Sequence, residues 1–546
     1  MRRVCVLLVA FILVVSGGPA LAVAAGAPVA ADGSVGGEGQ LAEEPEDDGE
    51  WREYEPDDEL GLEGAEELSD EELAEVIDRA MVRVEELREV EFEERPPVEV
   101  VTRSEFQEEF DGLVGEGTET QTAFVNAKHK ALLLVGDDED STETLAENQN
   151  VSVGGFYSSA TNEIVVVVDD ETPVVDEVIL AHELYHAYQD QRWDLQRYDA
   201  QTRDERNAQN GLIEGDAVLM EYRYEQRCEG GEWECVRPPA ADGTEPTEEG
   251  EPANMGLLLL DFQPYSDGPT FSEHRYQEGG WDAVNELYGE PPETSQQVIT
   301  PDRYPDDLPR EVEIDDETDE GWDRLRPEER PDHEVLGKVS IATMFAAPLY
   351  DQPGAQLVDP DEFLNVGPDG ELDPFDPINY DVEYATGWDG DRLHVYESEA
   401  GESAYVWRIA WESDDDAATF VEGYDELLEY RGAGDEGDGL YVAESGGYAG
   451  AYHVDHDGDV VTITHAPDVD ALSAVNADVE PADVEEDDEV VETPEETDDD
   501  VEETPEETDD DVEETPEEEQ EEQPGFGLVA ALAALVIALA LLARRR

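Results

Sequence analysis

The segment Ala181-His182-Glu183-Leu184-Tyr185-His186-Ala187-Tyr188-Gln189-Asp190-Gln191 sets two histidines four residues apart with a glutamate beside the first. On a helix that spacing projects both imidazoles from one face, about 5–6 Å apart at Cβ. Two such imidazoles suit one tetrahedral zinc, and Glu183 can reach a water that the metal activates and take its proton as general base. A catalytic zinc needs a third protein ligand and leaves a fourth position open. Glu214, in Gly211-Leu212-Ile213-Glu214-Gly215-Asp216-Ala217 and 28 positions after His186, fits that role at the start of a second apolar-periodic helix. Chance explains the pattern poorly: glutamate is abundant, but only nine histidines occur in the chain and two of them fall here. Such a site would also use a group that stabilises the oxyanion, for which Tyr222, Tyr224, Tyr265 and His274 are the nearby candidates. Asp190 and Asp216 are candidate carboxylates for orienting the imidazoles, although Asp216 stands only two residues beyond Glu214.

These groups need a scaffold, and the pattern supplies one. Ser69 with Glu72 forms a capping box before the periodic run Leu73, Val76, Ile77, Ala80, Val84, Leu87, and Pro96-Pro97 closes that helix. Val98 to Thr102 reads as a strand, and Phe156-Tyr157 with Glu163 to Val168 as a hairpin, so the 163–168 strand could edge a substrate groove. Val174 to Trp193 reads as the long helix that carries the histidines. Asp267-Gly268 and Gly279-Gly280 read as turns, and Trp281, Val284 and Leu287 as one helix face. Further on, Val335 to Leu349 and Ala417 to Tyr430 are helices among strands at His394–Glu397, Tyr405–Ala410, Tyr441–Glu444, Tyr448–Val454 and Val460–Thr464. That makes a second, smaller α+β unit. The histidines and aspartates at 453–459 read as a hairpin with a solvated turn at Asp457-Gly458 rather than a second metal cluster.

Two histidines with a downstream helical glutamate resemble the gluzincin metallopeptidases. AHELYHAYQDQRWDL, GLIEGDAVLMEYRY, PYSDGPTF, GGWDAVNELYGEPPETSQQVITPDRY and GWDGDRLHVYE together resemble a family of secreted or surface proteins of haloarchaea and some bacteria. That resemblance implies a zincin-like fold, a zinc cofactor held by His182, His186 and Glu214, and Glu183 as the catalytic base.

Composition fits an extracellular, salt-loving chain. Of 546 residues 147 are Asp or Glu and 30 Lys or Arg, a formal net charge of −117 that excludes an ordinary nucleic-acid partner. An acid-rich surface with only three lysines stays hydrated in multimolar salt, where screening cancels self-repulsion, and resembles the composition of extreme halophiles such as haloarchaea. Residues 1–22 read as an export signal: Arg2-Arg3, an apolar run from Val4 to Val15, and Ala20-Leu21-Ala22 as the cleavage site. Cys5 leaves with it, and Cys228 and Cys235 remain to form a small disulfide loop outside the cell. Asn150-Val151-Ser152 is an N-glycosylation sequon.

At the other end, VVETPEETDDD repeats from Val490, and residues 480–524 hold 27 acids and no base, which makes an extended, disordered stalk. Pro524-Gly525-Phe526, an apolar stretch to Ala543 and Arg544-Arg545-Arg546 resemble the PGF-CTERM sorting signal. That likeness implies an archaeosortase-type processing enzyme as partner and a membrane or lipid anchor. A simple transmembrane tail would orient the same way.

The chain therefore divides into a signal (1–22), an acidic Ala/Gly-rich linker (23–66), a zincin-like α+β domain (67–305), a linker or long loop (306–334), a second α+β domain (335–478), a stalk (479–523) and a sorting tail (524–546). The expected function is a cell-surface zinc metallopeptidase acting on peptides or other surface proteins. The alternative is a catalytically silent surface or envelope protein that keeps the site for binding or structure.

Overall fold

A computed structural model describes residues 50–62, 68–110, 118–168, 174–238, 252–315, 318, 321–328, 330–351, 356–367 and 372–479, with two dipeptides, Phe11–Ile12 (β1) and Gln40–Leu41 (β2). Of the expected signal only Phe11–Ile12 is described; of the expected linker, 40–41 and 50–62 are described, and Trp51 there is buried in the core beside α1 rather than in a free linker. The stalk begins at the last described residue, Val479, and the sorting tail lies outside them.

The elements follow a mixed α+β order. Helix α1 (Asp70–Arg88) leads to β3 (Val98–Thr102), α2 (Arg103–Phe110), α3 (Glu119–Ala131), α4 (Ser141–Ser152), β4 (Val153–Ser158) and β5 (Glu163–Val168). Then come α5 (Glu177–Trp193), α6 (Arg203–Glu229), α7 (Met255–Gly279), α8 (Trp281–Leu287) and α9 (Ser295–Ile299). The remainder is β6 (Trp322–Arg324), α10 (Gly337–Ala346), α11 (Pro348–Asp351), α12 (Pro360–Phe363), β7 (Trp388–Ser398), β8 (Ser403–Trp411), α13 (Asp414–Tyr430), β9 (Gly434–Gly437), β10 (Leu440–Ala443), β11 (Gly450–Asp457), β12 (Val460–Ala466) and α14 (Val469–Val475).

In the first sheet β5 is central, parallel to β3 and antiparallel to β4, with the dipeptides β1 and β2 at the two edges. The unbroken run Ile164–Val168 is buried on both faces, which suits an inner strand. Ile164, Val166 and Val168 pack with α1 and α5, while Val165 and Val167 pack with Phe106 and Phe156 on the other face. The 163–168 strand is therefore not a groove edge. Its hydrogen-bonding sides are taken by Val98–Thr102 and Gly155–Ser158, and β4 lies between it and the edge dipeptide β1.

Helix α1 starts at the expected capping box of Ser69 and Glu72. Besides its apolar stripe it buries Arg79 and Arg83, one turn apart, against Glu177 at 2.7 and 2.6 Å. Tyr224 Oη and the Val236 amide also donate to that carboxylate, so the buried charge is fully partnered. Glu177 sits in the first turn of α5, where the helix dipole favours a negative charge.

Helix α7 runs through the expected Asp267-Gly268 turn and contains Pro264 and Pro269. A proline inside a helix frees the carbonyl four residues back. Leu260 O, freed by Pro264, accepts from Asn207 Nδ2 of α6 instead, so packing between helices overrides the local turn signal. The two helices meet closely at Gly215 and Gly268: a Cβ at Gly215 would stand 2.3 Å from Gly268 O.

The second sheet is antiparallel throughout, in the order β6-β7-β8-β12-β11-β10-β9. Phe420, Tyr424, Leu427 and Leu428 of α13 are buried with Trp407, Trp411 and Tyr452 from its strands, on the face the sequence pattern indicates. The same core continues into Leu257, Leu259, Phe345 and Leu134, so one hydrophobic interior runs through residues from both α+β segments. Asp391 of β7 accepts from the Leu336 and Gly337 amides at the start of α10 and from the indoles of Trp388 and Trp407. Burial pushes this carboxyl up to about 6, and the four N–H donors pull it down.

Candidate metal centre

Helix α5 places His182, Glu183 and His186 in the interior, all at 0% exposure, and α6 brings Glu214 to them at 1%. The two imidazole Nε2 atoms lie 2.8 Å apart. Glu214 Oε2 lies 3.4 Å from the first and 3.3 Å from the second. Among the described residues this is the one His/Cys/Asp/Glu group whose ligand atoms converge closely enough for a metal, all within 4.8 Å of one another.

The outer sides of the rings decide what faces inward. His182 Nδ1 is 2.7 Å from Glu221 Oε2, and a carboxylate only accepts. His186 Nδ1 is 2.6 Å from Gln189 Oε1. Gln189 is held in that orientation because its Nε2 donates to Ile213 O and Tyr288 Oη. Both Nδ1 atoms therefore carry hydrogen, and in neutral rings both Nε2 atoms present lone pairs to each other and to a carboxylate oxygen. Three acceptors facing inward repel unless a cation lies among them. A proton can serve in place of a metal: burial lowers His182, but its hydrogen bonds with Glu214 and Glu221 outweigh that and raise it to about 10. Burial raises Glu214, and the two histidines overcome it and hold that carboxyl down at about 2. The donor set fits a His-His-Glu zinc site, with both rings anchored as metal-bound histidines usually are.

Glu183 stands apart. Both its carboxylate oxygens are buried without a well-formed hydrogen bond. Burial drives its pKa well up; His182 opposes this, and Glu214 and Glu221 add to it. Gly155 of β4 makes room for it, since a Cβ there would sit 3.1 Å from Glu183 Oε1. The glycine inside the strand is the sequence signal of that close approach.

Of the four oxyanion candidates the structure brings one to the site. Tyr265 of α7 hydrogen-bonds Glu214, and burial together with the charges of Glu214 and Glu183 drives its phenol far up. Tyr222 packs on Phe375, Tyr224 donates to Glu177, and His274 is a partly exposed residue 3.9 Å from Asp302. Neither proposed orienting aspartate meets an imidazole. Asp190 accepts from Tyr157 Oη and from the Leu195 amide, and Asp216 pairs with Arg88. Glu221 and Gln189 take the orienting role instead. Both were within reach of the sequence, as Glu221 lies two turns after Glu214 and Gln189 lies one turn after His186.

Residues 323–476 match a family described as a domain of unknown function (DUF8575). No curated protein and no solved structure matches the chain. The matched segment runs from β6 to α14, covers the second sheet and α10, and leaves His182, His186 and Glu214 outside it. Elsewhere, Cys228 in the last turn of α6 is disulfide-bonded to Cys235 beyond it, with a Cα–Cα distance of 5.7 Å. Asn150 lies in the last turn of α4. The 453–459 segment forms the end of β11 and the turn at Gly458 that leads into β12.

Proposed function

We propose that the chain is a zinc-dependent hydrolase of the gluzincin type that cleaves peptide bonds and is held outside a halophilic cell by its C-terminal tail. The observation that carries this reading is Glu183: a buried carboxyl that no side chain pairs and only the Tyr157 amide approaches, beside three converging ligand atoms. Leaving such a group unpaired costs on the order of 1–3 kcal/mol or more. A structural zinc would be closed by four protein ligands and would have no use for it. The β4 strand beside α5, followed by α6 with its glutamate, supports a zincin-like arrangement.

Zinc bound there would supply Lewis acidity, lowering the pKa of a water and polarising the scissile carbonyl. Glu183 would serve as the base that takes a proton from the attacking water and as the acid that returns it to the leaving amine. Tyr265 is placed to donate to the oxygen that gains charge. Glu221 and Gln189 keep both rings aimed inward. Among the described residues no helix is long and apolar enough to cross a membrane, so the anchor in this reading rests on residues 524–546.

Enclosure favours a second reading, a zinc-holding surface protein without hydrolysis, because exposure of the four groups is at most 1%. Zinc content and peptide hydrolysis of the full chain in high salt separate the two. The first reading expects about one zinc in the wild type and in Glu183→Gln, none in His182→Ala, and hydrolysis in the wild type alone. Zinc without hydrolysis in the wild type would select the second reading, and a folded chain without zinc would sink both.

A further inference from the structure

A chain with 147 acids and 30 Lys plus Arg nevertheless holds an interior region where positive charge is in excess. Lys128 of α3, Arg203 and Arg206 of α6, and Arg330 before α10 gather around two carboxylates. Arg203 Nη1 lies 2.7 Å from Asp261, while Lys128 Nζ and Arg330 Nη2 share Glu334 Oε2 at 3.3 and 3.5 Å. The other Glu334 oxygen accepts from the Arg203 amide at 2.7 Å, so three donors already share this carboxylate. Four cations thus face two anions.

Hydrogen-bond accounting points the same way. Arg203 Nε is buried with no acceptor, in a side chain only 9% exposed. His129 Nδ1 is buried with no partner beside Lys128 and Arg203. The half-buried Arg206 guanidinium, open to solvent, makes no hydrogen bond or ion pair among the described residues, although it is close enough to feel Arg203, Arg330, Asp261 and Glu334. Burial and then the two neighbouring arginines bring Arg206 down to about 10, against the pull of Asp261 and Glu334. Lys128 is down at about 8, from burial and the three arginines against Glu334. The buried Arg203 Nε, and the unpaired Arg206 guanidinium beside it, sit at a surplus of positive charge and call for an acceptor that is itself negative. Asp261, with a side chain 38% exposed, brings the cluster to solvent, so a small ion can enter.

We propose that Lys128, Arg203, Arg206 and Arg330 bind a compact monovalent anion, chloride, which completes the pairing that Glu334 and Asp261 leave unfinished. Chloride is abundant in the salt that the surface composition demands, and it needs less room in a packed interior than a polyatomic anion. This site is independent of the metal centre.

The test uses the full chain in equimolar sodium chloride or sodium methanesulfonate, with Arg206→Met and the charge-keeping Arg206→Lys as variants. Chloride-35 line broadening should be present in the wild type and in Arg206→Lys, and should fall at least about tenfold in Arg206→Met. The wild type should melt higher in chloride than in methanesulfonate. Arg206→Met should lose that difference, melting below the wild type in chloride and above it in methanesulfonate, where removing one of the crowded cations relieves repulsion. A melting shift of the same sign in both salts, or broadening that survives Arg206→Met, would overturn the proposal. Displacement of the chloride signal by millimolar acetate would overturn the choice of ligand.

Discussion

Asp216 offers a sharp test of which carboxylates serve the metal and which serve the fold. It follows Glu214 by two residues, yet its oxygens face the other way, toward α1. Arg88 Nε and Nη2 donate to it at 3.0 and 2.9 Å, and Tyr185 Oη and Tyr288 Oη at 2.6 and 2.8 Å. Arg88 and Asp216 are both fully buried, and the guanidinium also stands 4.0 Å over the Trp281 ring. Asp216→Asn keeps the shape, removes the charge and turns one acceptor into a donor among four donors. Arg88 is then a buried cation with no counter-charge. Breaking such a pair costs about 3–5 kcal/mol, a large part of the roughly 5–15 kcal/mol that holds a typical domain. The assay is guanidinium chloride unfolding of metal-free wild type and variant, beside zinc affinity by competition with a chelator. The denaturation midpoint should fall sharply, while zinc affinity of the folded variant stays within about threefold, since Asp216 touches none of the ligands. A tenfold loss of zinc affinity with an unmoved midpoint would refute the argument and return Asp216 to the metal.

The converse perturbation is Glu221→Gln, which weakens the hold on His182 Nδ1 and should cost about 10–100-fold in zinc affinity with a smaller effect on unfolding. Gly215→Ala should destabilise the chain by about 1–3 kcal/mol in chemical denaturation, despite alanine's better helix propensity, because its Cβ would meet Gly268 O at 2.3 Å. For pH, Asp204 is the group to watch: burial raises it to about 7, with the Ser295 hydroxyl and amide pulling part of the way back. The folded state then holds this proton more tightly than the unfolded chain, whose pKa is about 3.9. Its stabilising contribution is full below that value and is lost as pH rises through about 7. Between pH 5 and 8 the wild type should lose a few kcal/mol relative to Asp204→Asn at constant salt, and parallel profiles would contradict it.

The local parts of the fold were legible. The capping box at Ser69, the buried run Ile164–Val168 and the α13 face are short-range patterns, and each appears where its period puts it. Helix α6 shows a signal passed over, since the capping box of Thr202 and Glu205 starts the helix at Arg203, eight residues before the expected start at Gly211. Helix α7 shows one that no local reading supplies. Pro264 and the Asp-Gly pair predict a turn, and only Asn207, more than fifty residues earlier, takes the freed Leu260 carbonyl.

At the site, angular position on α6 separates what could have been read from what could not. At about 100° per residue, Glu221 lies only about 20° round the helix from Glu214, whereas Tyr222 and Tyr224 lie about 80° to either side and Asp216 about 160° away. The periodicity that places His182 above His186 therefore also places Glu221 beside Glu214, and rejects three of the candidates chosen by nearness in sequence. Tyr265 obeys no such rule. It reaches Glu214 from α7, and that approach depends on two glycines, Gly215 and Gly268, letting the helices come within backbone contact. The glycine of the Glu-Gly-Asp-Ala stretch thus belongs to the chemistry as much as the glutamate before it. Any side chain at position 215 would push α7 away and carry Tyr265 off Glu214, while leaving both histidines and their anchors on α5 and α6 in place.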